Sequence, residues 1–306
     1  MGKIFRSASF RQKAVLSFCA VFLILIPGLA FSLQQKEFRT VAVITREEIS
    51  GPIREPAALF FDEAKKRLYV SDSLNNRLVS YDENFQYLSE LTDENFALPM
   101  GIAKTPSGEF LIVDGKKGEL KLIDVQNMAV RPFIIINLPP GRERFIPGRF
   151  AMDSGGRLYV IDRLNKRIIV AEPDGTFIRA VSPDSEDRVM GLNDARVDDR
   201  GYLYAVDTLA RTVYVFDDKG SVVSRFGGGL DFPVSVAVTK KGLIYVLDRH
   251  AGKILVFDAE GREQYELSRK GMGFGELYNP SYIFIDGEGR IYAIDGARIQ
   301  VFEEGK

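Results

Sequence analysis

Six aspartates recur at nearly even intervals, and each closes a short apolar run that reads Leu-Tyr-Val-x-Asp or a variant of it. They are Asp72, Asp114, Asp162, Asp207, Asp248 and Asp295. Repeated carboxylates could ligate a metal ion or transfer protons, but a site that does chemistry usually departs from the repeat around it. A short acid at the end of a strand more often accepts hydrogen bonds from the amides of the following turn. We therefore predict that the six aspartates stabilise the fold.

The sequence offers little other material for catalysis. His250 is its only histidine and Cys19 its only cysteine, which excludes multi-histidine zinc sites, thiolate metal sites and disulfides within it. As a general base, His250 would need an orienting partner and a substrate pocket, and its polar surroundings predict an exposed turn residue instead. The sequence has no Gly-x-Ser-x-Gly motif, and its glycine-rich segments, 227–229 and 271–275, lack the helix or Lys-Ser/Thr of a phosphate loop. The formal net charge of -1 gives no indication of nucleic-acid binding.

The aspartates mark a repeat whose successive intervals are 42, 48, 45, 41 and 47 residues, a period typical of propeller blades. Each unit begins with a small or apolar run, usually turns at a glycine, and continues through Leu-Tyr-Val-x-Asp into a polar turn and further alternating runs. The pattern predicts an all-β, six-bladed β-propeller with four-stranded antiparallel blades.

The two ends of the repeat region complement each other. The sixth unit stops after residues 299–302 without a fourth strand, whereas the β-rich run 40–44 precedes the first unit as a spare strand. We expect the N-terminal strand to pair in the last blade, because this closes the ring and covers an open sheet edge.

The N-terminus has the three-part composition of a secretory signal peptide. The first 13 residues carry four basic and no acidic side chains, an apolar run follows, and Ala30 and Ser32 are small residues at the positions that a signal peptidase reads. We predict a signal peptide over residues 1–32 and a single domain over residues 33–306, exported to the periplasm or the extracellular space. Cleavage would lower the net charge from -1 to -5, as suits a soluble exported protein. The alternative is an uncleaved anchor in the inner membrane over residues 14–33, which approach the ~20 residues of a membrane span.

Two units carry a further motif in the turn after the aspartate. The third unit has Asn165 and Arg167 there, and the first has Asn75 and Arg77. With this motif the chain resembles NHL-repeat proteins over about residues 38–303. The other units depart from the pattern at these two places, with Lys117 and Glu119, Ala210 and Thr212, Ala251 and Lys253, and the shortened turn 296–298. The resemblance implies a six-bladed propeller, but one fold hosts many activities, so it implies little about function.

Enzymes occur among such propellers. Gluconolactonase-like hydrolases bind a divalent metal through carboxylate and amide side chains in the central channel, and the resemblance implies Asn193, Asp194 and Asn279 as candidate ligands near the starts of inner strands. Peptide-amidating lyases also resemble NHL proteins, but they use several histidines, and this sequence has one. A metal-dependent hydrolase therefore stays open as the alternative function.

One face of the expected propeller is basic. The turns between second and third strands share this face with the connections between units. These turns carry Lys116, Lys117, Arg163, Lys166, Arg211, Arg249, His250 and Lys253. The connections on this face add aromatic residues at Phe145, Phe232, Phe274 and Tyr278. Such a face could bind an anionic ligand, although turns are polar anyway and nearby acids such as Asp184, Glu186, Asp187 and Asp231 dilute the charge.

We predict from these observations a non-catalytic binding or scaffolding module for an envelope or extracellular partner, either a protein, a glycan or another anionic ligand. It would need no cofactor or metal, bind no nucleic acid, remain a monomeric propeller and touch a membrane only through an uncleaved leader.

Overall fold

The apolar runs form short β-strands because their β-branched and aromatic side chains suit a pleated, buried surface. The computed structural model describes residues 38–47, 51–183 and 191–305, and the predicted signal peptide lies outside these ranges. Within them the chain forms 26 strands and one 3₁₀ helix, Ser73–Asn75. No helix in these ranges has the length and apolar character needed to cross a membrane.

Six four-stranded antiparallel sheets follow one another along the chain as blades. Blade 1 consists of β4 (Pro56–Asp62), β5 (Arg67–Asp72), β6 (Arg77–Tyr81) and β7 (Tyr87–Thr92). Blade 2 consists of β8 (Pro99–Lys104), β9 (Phe110–Asp114), β10 (Glu119–Asp124) and β11 (Ala129–Phe133). Blade 3 consists of β12 (Pro147–Met152), β13 (Leu158–Asp162), β14 (Arg167–Ala171) and β15 (Phe177–Val181).

The second half of the ring repeats this arrangement. Blade 4 consists of β16 (Leu192–Val197), β17 (Leu203–Asp207), β18 (Thr212–Phe216) and β19 (Val222–Phe226). Blade 5 consists of β20 (Pro233–Val238), β21 (Ile244–Asp248), β22 (Lys253–Phe257) and β23 (Glu263–Leu267). Blade 6 consists of β24 (Pro280–Ile285), β25 (Ile291–Asp295), β26 (Arg298–Glu304) and β1 (Phe38–Ile44). A two-stranded ribbon, β2 (Arg46–Glu47) with β3 (Gly51–Pro52), links β1 to blade 1.

The N-terminal strand closes the ring, as the sequence predicts. β1 pairs antiparallel with β26, from Phe38 opposite Glu304 to Ile44 opposite Ile299. The last blade thus receives its fourth strand from the start of the domain, and β26 has no unpaired edge. The predicted six-bladed propeller is confirmed.

The core lies between neighbouring blades. The second strand of each blade is buried along nearly its whole length because the flat faces of two other blades cover it, and Val160, Val206 and Val246 are completely buried. In one such layer, Tyr204 of blade 4 packs in the same apolar cluster as Val236 of blade 5. This arrangement explains why the second strands are continuously apolar instead of alternating.

The first strands of neighbouring blades contact one another all round the ring and line a central channel. Each begins beside the anchor aspartate of its own blade, as Pro147 does opposite Asp162. This end of the channel also carries the inter-blade connections and the turns between second and third strands. We call it the connection face, and it is the face that the sequence predicts to be basic.

Candidate functional site

The anchor aspartates lie at the centres of hydrogen-bond networks that hold the connection face together. In blade 3 the buried Asp162 accepts hydrogen bonds from the Asn165 amide at 3.1 Å, from Asn165 Nδ2 at 2.7 Å and from Arg167 Nε at 2.9 Å. Asn165 and Arg167 also donate, each at 3.0 Å, to the carbonyls of Arg144 and Arg142 in the preceding connection. Aspartate, turn and connection therefore form one unit, which we call the aspartate lock.

Other blades satisfy their aspartates in related ways. Blade 1 repeats the lock, with Asn75 and Arg77 donating to Asp72 at 2.8 and 2.7 Å. In blades 4 and 5, which lack this Asn and Arg, Asp207 and Asp248 accept hydrogen bonds from backbone amides of both the connection and the turn. The structural role predicted for the aspartates is confirmed in these blades.

Blade 2 has an incomplete lock. Asp114 is buried and accepts hydrogen bonds from the amides of Lys116 and Lys117 at 3.0 Å, but its Oδ2 atom has no partner among the described residues. Glu119 stands opposite Asp114 at the place that Arg167 occupies in blade 3. An acid here cannot supply the missing hydrogen bond.

The blade 4–5 half of the basic face is neutralised internally. Arg211 Nη1 and His250 Nδ1 each lie 3.4 Å from a carboxylate oxygen of Asp231. His250 also stacks on Phe232 with ring centroids 4.3 Å apart, and Lys253 pairs with Glu266 at 2.7 Å. The structure places these predicted residues together and gives each of them a carboxylate partner, Asp231 for Arg211 and His250 and Glu266 for Lys253.

The blade 2–3 half of the same face is different. Its six basic side chains are exposed, and none of them forms an ion pair with the described residues. They are Lys116, Lys117, Arg142, Arg144, Arg163 and Lys166, and we call them the blade 2–3 basic patch. They belong to one surface because the blade 3 lock holds the connection that carries Arg142 and Arg144, and this connection meets the blade 2 turn where Ile146 faces Gly118.

Apolar side chains are interspersed with these cations. Ile146 is 41% exposed and Leu164 is 48% exposed, whereas Phe145 turns inward and packs on the core between blades 2 and 3. The aromatic residues Phe274 and Tyr278 are exposed, but they lie on the connection between blades 5 and 6. The predicted basic and aromatic face therefore consists of separate regions.

Arginines also occur inside the channel, for which the sequence predicts Asn193, Asp194 and Asn279 as candidate ligands. Arg149 on β12 reaches across the ring and donates to the carbonyls of Val234 at 3.1 Å and Ser281 at 2.8 Å. Arg196 on β16 donates to Asp194 at 3.0 Å. The sequence does contain a signal for these arginines, because a charged residue within an otherwise apolar first strand is unusual.

Both guanidinium groups lie against Tyr282 of blade 6, with Cζ to ring-centroid distances of 5.1 Å for Arg149 and 4.8 Å for Arg196. Burial lowers the pKa of Arg149, and repulsion from Arg196 and Arg249 adds to this effect against the attraction of Asp194. Burial is the largest single influence on Arg196 and acts to lower its pKa, but Asp194 and Tyr282 together outweigh it and the pKa is raised. The channel centre is thus a cationic environment.

The proposed metal ligands do not form a metal site. The Asp194 carboxylate is occupied by Arg196, by the Ser235 hydroxyl and by the Val236 amide at 3.2 Å. Asn193 lies in the channel and donates through Nδ2 to the Val234 carbonyl, while Asn279 is exposed on the connection face. Cationic guanidinium groups beside a single carboxylate are unsuited to a divalent cation.

Comparisons with known proteins agree with the architecture. Residues 233–303 match a protein family described as a 6-bladed beta-propeller. The mouse (Mus musculus) E3 ubiquitin-protein ligase TRIM32 is 28% identical over 195 residues, which cover 58% of this chain and 29% of that protein. This chain therefore spans less than a third of the length of that distant relative.

Solved structures with the same architecture include enzymes. A gluconolactonase from Xanthomonas campestris has a TM-score of 0.65 and 15% identity, over 89% of this chain and 91% of that chain. The virginiamycin B lyase of Staphylococcus aureus has a TM-score of 0.63 and 13% identity, over 87% of this chain and 99% of that chain. At such identities the likeness shows the fold alone.

Proposed function

We propose that this chain is an exported, NHL-type six-bladed propeller that acts as a non-catalytic binding module. The observation that supports this function best is the blade 2–3 basic patch, whose six exposed cations form no salt bridge with the described residues. An acidic partner would gain charge–charge interactions there without first displacing an internal carboxylate.

An acidic protein fits this surface better than a uniform polyanion. Ile146 and Leu164 are exposed between the cations and offer apolar contact area. Protein interfaces combine an apolar centre with a polar rim, and complementary charge sets their specificity and association rate. The partner is therefore a protein whose contact surface joins acidic and aliphatic side chains.

The binding surface can be tested by charge removal. The domain is immobilised and exposed to an extract of the source cell envelope, and retained proteins are quantified by mass spectrometry. The test variant carries Lys117→Gln, Arg163→Gln and Lys166→Gln. Its matched control carries Lys219→Gln, Lys240→Gln and Lys241→Gln, three exposed lysines in turns at the opposite face.

We expect the wild-type domain and the control to retain the same acidic proteins, and the patch variant to lose them. Equal retention by all three proteins would show that the patch is not the binding surface. Because both variants lose three positive charges, a general effect of net charge would appear in both.

Export rests on the N-terminal sequence and has its own test. Cell fractionation followed by N-terminal sequencing of the mature protein should find it outside the cytoplasm, beginning near residue 33. A protein that stays in the cytoplasm would contradict export, and one retained in the inner membrane with its leader would support the anchor over residues 14–33.

A further inference from the structure

The centre of the channel holds surplus positive charge. The first strands contribute five charged residues, and two of them, Lys104 and Asp62, pair with each other at 2.6 Å at the end remote from the connection face. The other three are Arg149, Asp194 and Arg196, so two cations share one carboxylate. Removing an uncompensated guanidinium from water is strongly unfavourable, so such a group calls for a counter-ion.

The two guanidinium groups retain hydrogen-bonding capacity. Arg149 makes its hydrogen bonds to two backbone carbonyls, which carry no net charge. Arg196 interacts with Tyr282 both electrostatically and through a side-chain hydrogen bond, but this contact falls short of regular hydrogen-bond geometry, and the buried Nη2 atom has no other partner among the described residues. The Arg196 side chain still keeps 16% of its surface accessible to solvent.

A third arginine marks the way in from the connection face. Arg249 directly follows the anchor aspartate of blade 5, and its Nε donates to the carbonyl of Pro280, the first residue of β24, at 2.9 Å. It is close enough to Arg149 to affect the pKa of that side chain. Arg249 at the mouth, then Arg149, then Arg196 form a series of cations down one side of the channel.

We propose that this channel binds the carboxylate of a small organic acid between Arg149 and Arg196. A carboxylate is planar and accepts paired hydrogen bonds from guanidinium groups. Its single charge matches the one surplus charge that remains after Asp194 pairs with Arg196 and Glu55 acts electrostatically on Arg249, whereas a dianion such as sulfate would overcompensate it. The first strands of blades 1 and 2 carry no charge in their central parts, so we place the uncharged organic body of the ligand on their side of the ring.

Bridging the blades across the ring does not by itself explain why charged arginines occur in the channel. Holding the blades together across the ring requires hydrogen-bond donors to the carbonyls of Val234 and Ser281, and donation to two neutral carbonyls does not by itself need a buried charge. The positive charge is the property that an anion would use.

The test uses sodium acetate, sodium benzoate and sodium gluconate as probes, with sodium chloride and sodium sulfate at equal ionic strength. Binding is measured by saturation-transfer NMR on the probe and by the shift of the thermal unfolding midpoint. We expect saturable binding of at least one carboxylate with a dissociation constant of about 1 mM or less, in keeping with so small a ligand. Sulfate should not compete.

The Arg149→Gln variant should weaken carboxylate binding by at least about tenfold, and Arg149→Lys should retain part of it because the charge remains. Circular dichroism confirms folding, and Arg196→Lys provides a second variant if Arg149→Gln does not fold. Lys241→Gln, on the opposite face, is the control and should bind as the wild type does.

Absence of saturable carboxylate binding, tighter binding of sulfate, or unchanged binding by Arg149→Gln would each overturn the assignment. The channel arginines do not belong to the blade 2–3 basic patch, so capture of an acidic protein and binding of a carboxylate succeed or fail independently.

Discussion

Blades 3 and 5 carry an arginine at the same position, directly after the anchor aspartate, but the structure uses the two residues differently. Arg249 of blade 5 turns toward the next blade and hydrogen-bonds the Pro280 carbonyl. Arg163 of blade 3 stays exposed and forms no ion pair with the described residues. The repeat therefore fixes the backbone position of a side chain, while the residues around that side chain determine whether its charge is available to a ligand.

The connections before the two blades explain much of the difference. The segment 134–146 before blade 3 is long, and the lock residues Asn165 and Arg167 reach into it. The segment 227–232 before blade 5 is short and brings Asp231 and Phe232 directly onto the turn. Blade 5 thus pairs His250 and Lys253 of its turn with carboxylates and directs Arg249 toward the channel, whereas blade 3 leaves its turn cationic at the surface.

The largest difference should appear when the lock position is truncated in each blade. Arg167→Ala leaves the buried Asp162 without its cation and should lower the free energy of unfolding by about 3 kcal/mol. Lys253→Ala removes a more exposed pair with Glu266 and should cost below about 1 kcal/mol. Urea denaturation of both variants measures the loss of unfolding free energy in each. Equal losses would show that Arg167 and Lys253 contribute equally to stability.

Binding should separate the two halves of the connection face next. The variant Lys117→Gln, Arg163→Gln, Lys166→Gln should release a captured acidic protein at clearly lower sodium chloride concentration, with affinity reduced by about tenfold. Arg211→Gln, His250→Gln, Lys253→Gln should change affinity by less than about twofold, because these side chains already have carboxylate partners. A larger loss of affinity in the blade 4–5 variant would show that the partner binds that half of the connection face instead.

Installing the lock arginine in blades that lack it should have a smaller effect. Glu119→Arg made together with Lys121→Leu, which removes the cation that Glu119 now pairs with, places a guanidinium opposite Asp114, whose Oδ2 is unpartnered; relative to Lys121→Leu alone it should raise the free energy of unfolding by about 1 kcal/mol. Lys253→Arg in blade 5 should change it by less than about 0.5 kcal/mol, since Asp248 already accepts three backbone amides. Thermal unfolding compares the two, and a larger gain in blade 5 would contradict this account of the locks.

The smallest expected effect concerns pH. A hydrogen bond from Lys121 lowers the pKa of Glu119, against a smaller opposing effect of burial. The ionised Glu119 therefore stabilises the fold above its unfolded-state pKa, and this contribution is lost as the pH falls through the lowered folded-state value. Glu119→Gln should cost less than about 0.5 kcal/mol at pH 7 and nothing in stronger acid. If Glu119→Gln still lowered the free energy of unfolding at low pH, the loss would come from side-chain packing and not from the charge of Glu119.

Much of the architecture could be predicted because it depends on local sequence patterns that recur from blade to blade. The second strand of each blade, the turn after it and the acid between them lie within about a dozen residues, so Asp162, Asn165 and Arg167 predict their own hydrogen bonds. Ring closure was predictable for a different reason. The last unit lacks a fourth strand and an additional β-rich run precedes the first unit, and pairing the two leaves neither with an open edge.

The candidate sites could be predicted only in part. The basic residues of the connection face were identifiable from their positions, but their ion pairs were not, since Arg211 and His250 share Asp231 across a turn and a connection. The channel arginines were missed because reading by repeats treats a first strand as core, and nothing local marks Arg149 as a side chain that crosses the ring.

The sequence by itself determined the number of blades, the order of their strands, the closing strand and the locking role of most anchor aspartates, because each depends on periodicity or on near neighbours in the chain. Only the tertiary structure decided which cations of the connection face stay unpaired and which groups meet in the channel. Arg149 contacts a carbonyl 132 residues away, at Ser281, and such a contact exists only after the ring has brought blades 3 and 6 to one axis.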